Sequence, residues 1–183
     1  MAALKLRRFF SLVVLSCAIA TVIFILAFPP GLVALIHTMQ VASAGGWGRV
    51  YHLRELATAQ DRQVAKPNRD TIYSSVVIDL ATGPVLIKVP PYARYWNVQF
   101  IDASSNVFGY MGSRLGNEDS DRTALLVPQD YQQNTGERRI IRATSNKVWL
   151  VYRFHVVDAN DIAAAVQVQN NLELITSQAS PGS

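Results

Sequence analysis

Residues 9–28, FFSLVVLSCAIATVIFILAF, form a twenty-residue run without one charged side chain, and the rest of the chain has to be read around it. A helix rises about 1.5 Å per residue, so a run of this length reaches about 30 Å, the hydrocarbon thickness of a bilayer. The run predicts a transmembrane helix over Phe9–Phe28. Pro29-Pro30 is expected to stop it, because the second proline brings no N–H donor and residues before proline avoid the α region. Lys5, Arg7 and Arg8 precede the run, and no Lys or Arg follows until Arg49. That asymmetry makes 1–8 a cytoplasmic basic tail and puts the remaining chain outside. A cleaved signal peptide needs a small-x-small site close behind a shorter apolar core. Ala42-Ser43-Ala44 lies fourteen residues past the run, so the spacing favours an uncleaved anchor. A lipoprotein reading on Cys17 is the other alternative, disfavoured because the residues after it stay apolar where a mature N-terminus should be polar.

The chain is 50% hydrophobic and only 16% charged. The balance excludes a disordered chain, and the single cysteine, inside the apolar run, excludes a disulfide scaffold. Of 17 basic residues three lie in the tail, leaving the exported part nearly neutral against 13 acidic ones. Nucleic-acid binding calls for a clustered basic stripe. Arg138, Arg139 and Arg142 are the one tight group, and on a strand they read as a solvated face.

Residues 29–67 are expected to form a stalk and a short amphipathic helix. Gly31–Ala44 is apolar but too short to span a bilayer, which suggests an interfacial stretch closed by Gly45-Gly46. Trp47–Ala59 then carries Val50, Leu53, Leu56 and Ala57 at helical spacing. From Asn68 the period changes. Ile72–Leu80, Val85–Val89, Tyr95–Asp102, Val107–Met111, Thr123–Val127, Arg139–Ala143 and Lys147–Val157 are short runs rich in Val, Ile, Tyr and Phe, divided by Gly- and Pro-bearing turns. They predict a mostly β fold, an antiparallel β-sandwich or jelly-roll-like domain over 68–176. Lys147–Val157 is apolar on both faces and should be a central strand. One flanking C-terminal helix is expected from Asp158 or Asn160, as N-cap, to about Ile175. Residues 177–183 read as a loose tail.

The densest polar cluster is Asn68-Arg69-Asp70-Thr71-Ile72-Tyr73-Ser74-Ser75, where a loop enters a strand. The stretch NRDTIYSSVVIDLATGPVLIKVP, followed by YWNVQFIDASSNVFGYMGSR, resembles the bacterial family called domain of unknown function 1254. The resemblance covers roughly Asn68 to Leu174. It implies a mostly β fold standing ahead of a second β-rich domain, of unknown function 1214, in longer family members. This sequence ends after one helix, which makes a separate chain carrying that companion domain the expected protein partner.

Arg69, Asp70, Tyr73, Gln99, Asp102, Asn106 and Tyr110 match the family motif and, with Asn68 and Arg153, are the ligand-binding candidates. One reading is a polar pocket with Arg69 as a carboxylate clamp, Asp70 or Asp102 as base, and Tyr73 and Tyr110 as aromatic walls. The other is structural. Arg69 would pair with Asp102 or Asp79, while Asn68 and Asp70 close a turn through side-chain-to-backbone bonds. Arg153 stands in the apolar central strand with His155 on the same face. A buried arginine needs a carboxylate, for which Asp70 or Asp102 is the expected partner, unless the face is half open and Arg153 reaches water.

No metal or cofactor is expected. His37, His52 and His155 show no HxH or HExxH spacing, and Asn117–Asp121 lacks the alternation of a calcium loop. No GxSxG, phosphate loop or GxGxxG occurs. The sequence therefore points to a bacterial inner-membrane protein with its N-terminus in the cytoplasm and its main domain in the periplasm. Its leading role is a binding or assembly subunit that docks a second β-rich domain. The alternatives are half of a composite envelope hydrolase or lyase acting on polar or sugar-like substrates, with Arg69, Asp70, Tyr73 and Asp102 in the pocket, or a remnant that folds and binds little.

Overall fold

The computed structural model describes residues 2–58, 68–114, 122–132 and 139–176, with the backbone alone at 2–9, 25, 27, 29 and 30. It is mostly β, with two sheets, two α-helices and a 3-10 turn at Leu80–Thr82. The first helix, α1, runs unbroken over Ala2–Ala44. The proline pair does not end it, contrary to expectation. Proline's fixed φ is itself helical, and its cost is a missing donor and crowding one turn back, which strongly helical flanks can absorb. What stops α1 is glycine. Gly45 takes φ +78° and donates to the Ala42 carbonyl while Gly46 donates to Val41, so the last carbonyls are closed off in a Schellman turn. Among the described residues no helix is long and apolar enough to cross a membrane.

Nine strands follow among the described residues. β1 (Tyr51–Leu53), β2 (Thr71–Asp79), β4 (Trp96–Ile101), β5 (Val107–Gly112) and β8 (Lys147–His155) form one sheet in the order β1-β2-β8-β4-β5. The smaller sheet is β7-β6-β3-β9, from β3 (Val85–Lys88), β6 (Thr123–Val127), β7 (Ile140–Arg142) and β9 (Glu173–Thr176). All seven expected strands form, and β8 is central. One pairing departs from the antiparallel expectation: β6 and β7 run parallel, and residues 133–138 of the connection between them lie outside the described residues.

The alternation inside each strand sorts the core. Ile72, Val76, Val98, Phe100, Leu150, Tyr152 and Phe154 point inward from the large sheet to meet Val85, Ile87, Ala124, Leu126 and Ile141 from the small one. The second helix, α2 (Ala159–Asn170), closes the sandwich by burying Ala165 and Val168. Asp158 is its N-cap, accepting from the Asn160 and Asp161 amides.

Three local expectations need correction. Residues 47–58 are turns and β1, not an amphipathic helix, because β2 offers an open edge that a three-residue strand can pair with. The C-terminal helix ends at Asn170, and Leu174 and Ile175 instead belong to β9, paired along β3. Gly31–Ala44 belongs to α1, and its C-terminal half lies on protein: Gln40 accepts a 2.8 Å hydrogen bond from Ser75 Oγ, and the buried His37 ring meets Trp149 edge-on at 6.0 Å.

Candidate functional site

The outward face of the large sheet carries most of the residues of interest. Register sets rows across it. Tyr73 on β2 stands opposite Arg153 on β8, which stands opposite Asn97 on β4, with Gly112 on β5 completing the row. The next row is Ser75, Val151, Gln99 and Tyr110. α1 covers the β2 side, where Ser75 and Val77 are buried although they point away from the core.

Over β4, β5 and β8 the face opens into a cleft of about 360 Å³. Tyr95, Asn97, Gln99, Tyr110, Arg114 and Arg153 supply its side chains. Gly112 makes room at its floor, since a Cβ there would stand 2.6 Å from the Trp96 carbonyl oxygen. Asn97 donates to Tyr95 Oη at 2.6 Å, and the Arg114 guanidinium lies 4.5 Å from the centre of the Tyr95 ring. Two polar atoms are shut off from water with no partner: Asn97 Oδ1 and Arg153 Nε.

Three of the expected site residues, Gln99, Tyr110 and Arg153, line this cleft. The others go elsewhere. Asn68 donates to Tyr73 Oη at the start of β2. Asp70 is exposed, and its carboxylate lies 3.7 Å from His155 Nδ1. Arg69 is exposed and pairs with neither Asp79 nor Asp102. Asp102 closes the β4–β5 turn, accepting from the Ser104 and Asn106 amides on Oδ1 and from Asn106 Nδ2 and Thr144 Oγ1 on Oδ2. Burial pushes its carboxyl up, but those donors outweigh it and hold the pKa below the ordinary value.

Asp70 and Asp102 sit at opposite ends of the sheet. Thr71 is level with His155 and Ile101 with Trp149, six residues apart along β8, which is about 20 Å at strand rise. Tyr73 and Tyr110 are three strands apart, about 14 Å. The expected single pocket of Arg69, Asp70, Tyr73 and Asp102 is not assembled in this chain. Nor does Arg153 meet either aspartate named as its partner, because Asp70 faces His155 and Asp102 is held in its turn.

Tyr95, Asn97 and Arg114 escaped sequence reasoning. Asn97 was within reach, since it lies two residues from Gln99 on one strand and so shares its face. Nothing at Arg114 signalled a site. Among the described residues no group of three or more His, Cys, Asp or Glu side chains is placed to hold a metal ion; 117–121 lie outside them.

Fold and cleft together define a two-sheet β-sandwich with a long N-terminal helix and a half-covered outer face. The family profile described as "Protein of unknown function (DUF1254)" matches residues 47–176, and the chain belongs to that family. Among solved structures it is similar to the VPA0106 protein from Vibrio parahaemolyticus, with TM-score 0.55 and 22% identity over 65% of this chain and 32% of that one. It is also similar to an uncharacterized protein from Burkholderia cenocepacia, with TM-score 0.48 and 10% identity over 84% of this chain and 41% of that one. The chain thus spans about a third of the Vibrio protein and two fifths of the Burkholderia protein. No curated protein matches it significantly.

Proposed function

We propose that this is a membrane-anchored envelope protein whose sandwich serves as a binding and assembly subunit, docking a second β-rich domain on the outer face of its large sheet. The observation that carries the reading is the state of that face. α1 covers the β2 side, while the β4–β5 side offers Gln99, Arg153 and the 45% exposed Tyr110 around a concave floor. An interface centre of this kind, aromatic and arginine-bearing, is what docking surfaces use. The companion β-rich domain implied by the family resemblance is the occupant, whichever chain supplies it. That the sandwich spans only 32% of the Vibrio protein supports the same reading.

The anchor rests on 9–28 and on the described side chains of α1. Leu12, Val13, Val14 and Leu15 are all exposed, so the helix is apolar on every side. Ser16 and Thr21 bond the carbonyls of Val13 and Cys17, so neither of these hydroxyls faces lipid unmet. With the basic tail in the cytoplasm, the sandwich stands in the periplasm of the inner membrane. The enzyme reading is the weaker one, because Asp70 and Asp102 lie at opposite ends of the large sheet, more than about 20 Å apart, and Asp102 is fully engaged in its turn.

Photo-crosslinking in intact cells tests the docking face. Tyr110→p-benzoylphenylalanine should give an adduct that mass spectrometry resolves as this chain plus a β-rich domain of the companion family. Ile175→p-benzoylphenylalanine, equally exposed at 45% on the β9 edge of the other sheet, should not. No adduct at 110, or the same adduct at 175, overturns the reading.

A further inference from the structure

The cleft holds a charge imbalance that the fold does not resolve. Arg153 is half-buried in the middle strand of a five-stranded sheet, its Nε shut off from water without an acceptor. Arg114 adds a second cation on the same wall, stacked on Tyr95. Among the described residues no acidic side chain lines the cleft. The nearby carboxylates are spoken for: Asp70 faces His155, Asp161 holds Arg94 at 2.9 Å, and Asp102 is bound in its turn. A guanidinium partly withdrawn from water normally has an anion to offset its desolvation, and here the fold provides a concave, aromatic-sided space instead. The space, about 360 Å³, lies at the small end of the range for ligand pockets.

The geometry points to a binding site for a small organic carboxylate in this cleft. The carboxylate pairs with Arg153 and Arg114, and its apolar body lies between Tyr95 and Tyr110. A planar guanidinium fork matches a carboxylate bidentately, which gives the site orientation as well as charge. Tyr95 and Tyr110 present flat faces that suit an aromatic or unsaturated body better than a fully hydroxylated one. The cleft is also the centre of the proposed docking face, so a docked domain either encloses the bound carboxylate or supplies an Asp or Glu of its own to the same arginines.

The test is thermal unfolding of the full chain in dodecyl maltoside micelles at matched ionic strength, with ~10 mM benzoate, benzamide or inorganic phosphate, since a ligand of the native state raises the midpoint in proportion to its occupancy. Benzoate should raise the midpoint, and its neutral isostere benzamide should not. The shift should vanish in Arg153→Gln. It should also vanish in Asn97→Asp, which places a carboxylate directly across from Arg153 in the register and should itself melt higher than the parent by about 2 °C or more. Should Arg153→Gln fail to fold, Asn97→Asp carries the test alone. An equal shift with benzamide, or no shift with benzoate, overturns the proposal. A shift with phosphate alone also overturns it, by making the site one for inorganic anions. If Asn97→Asp is stabilised, benzoate does nothing, and position 110 crosslinks to a companion domain, the carboxylate belongs to that domain and the small-molecule proposal falls while the docking reading stands.

Discussion

Asp102 illustrates how a residue with the look of a catalytic acid can be committed to shape. Its two oxygens accept four hydrogen bonds, from two backbone amides, one side-chain amide and one hydroxyl, so no lone pair is left for a substrate. Those donors favour the charged form. The folded carboxyl therefore ionises below the ordinary 3.8, and by linkage its contribution to stability is complete above that value and is lost as pH falls through the lower, folded one. Asp102→Asn should cost about 1.5–3 kcal/mol in urea unfolding at neutral pH, in line with hydrogen bonds to a charged acceptor. It should also flatten the loss of stability in acid below pH 3.8. An unchanged midpoint would mean that the turn holds without the carboxylate, and Asp102 would again be available as a site residue.

At the scale of elements, what was legible followed from how many residues carried the signal. β2 and β8 have nine residues each, enough for alternation to stand out, while the shorter β3 and β7 were marked by β-branched residues between turn signals. β1 and β9, with three and four residues, exist because β2 and β3 offer unpaired edges, which is a tertiary fact. The helical spacing of Val50, Leu53 and Leu56 was real, but Val50 and Leu56 pack against the sandwich while Leu53 stays exposed. The same limit governs the site. Gln99, Tyr110 and Arg153 could be named one by one, but their convergence depends on the β8–β4–β5 register, which no local pattern encodes. α1 offers the sharpest test of an element. Cys17, the sole cysteine, lies mid-run with its side chain exposed on the helix. In intact membrane vesicles it should resist a water-soluble maleimide and become fully labelled after denaturing solubilisation. Rapid labelling before solubilisation would remove the anchor from the proposal.

For the whole molecule, the long helix and the sandwich are one packed unit at their junction. His37 and Gln40 lie on the outer face of the large sheet, and the chain after them covers Val77, which is only 2% exposed on a face that otherwise opens to water. His37 is held below its ordinary pKa, first by burial and then by the charge of Lys147, so it sits there neutral at pH 7 as part of the packing. A boundary placed after α1 would strip this cover from Trp149 and Ser75 while leaving the two-sheet core intact. Fully burying one large apolar side chain contributes about 1.5–3 kcal/mol. A fragment beginning at residue 31 should therefore melt at least about 3 °C above one beginning at residue 45, both unfolding cooperatively, since 1 kcal/mol moves the midpoint by about 2–4 °C in a domain of this size. Equal midpoints would make the helix end a passive tether. Collapse of the shorter fragment alone would make it a structural layer of the sandwich, so that anchoring the protein and completing its sheet are done by the same helix.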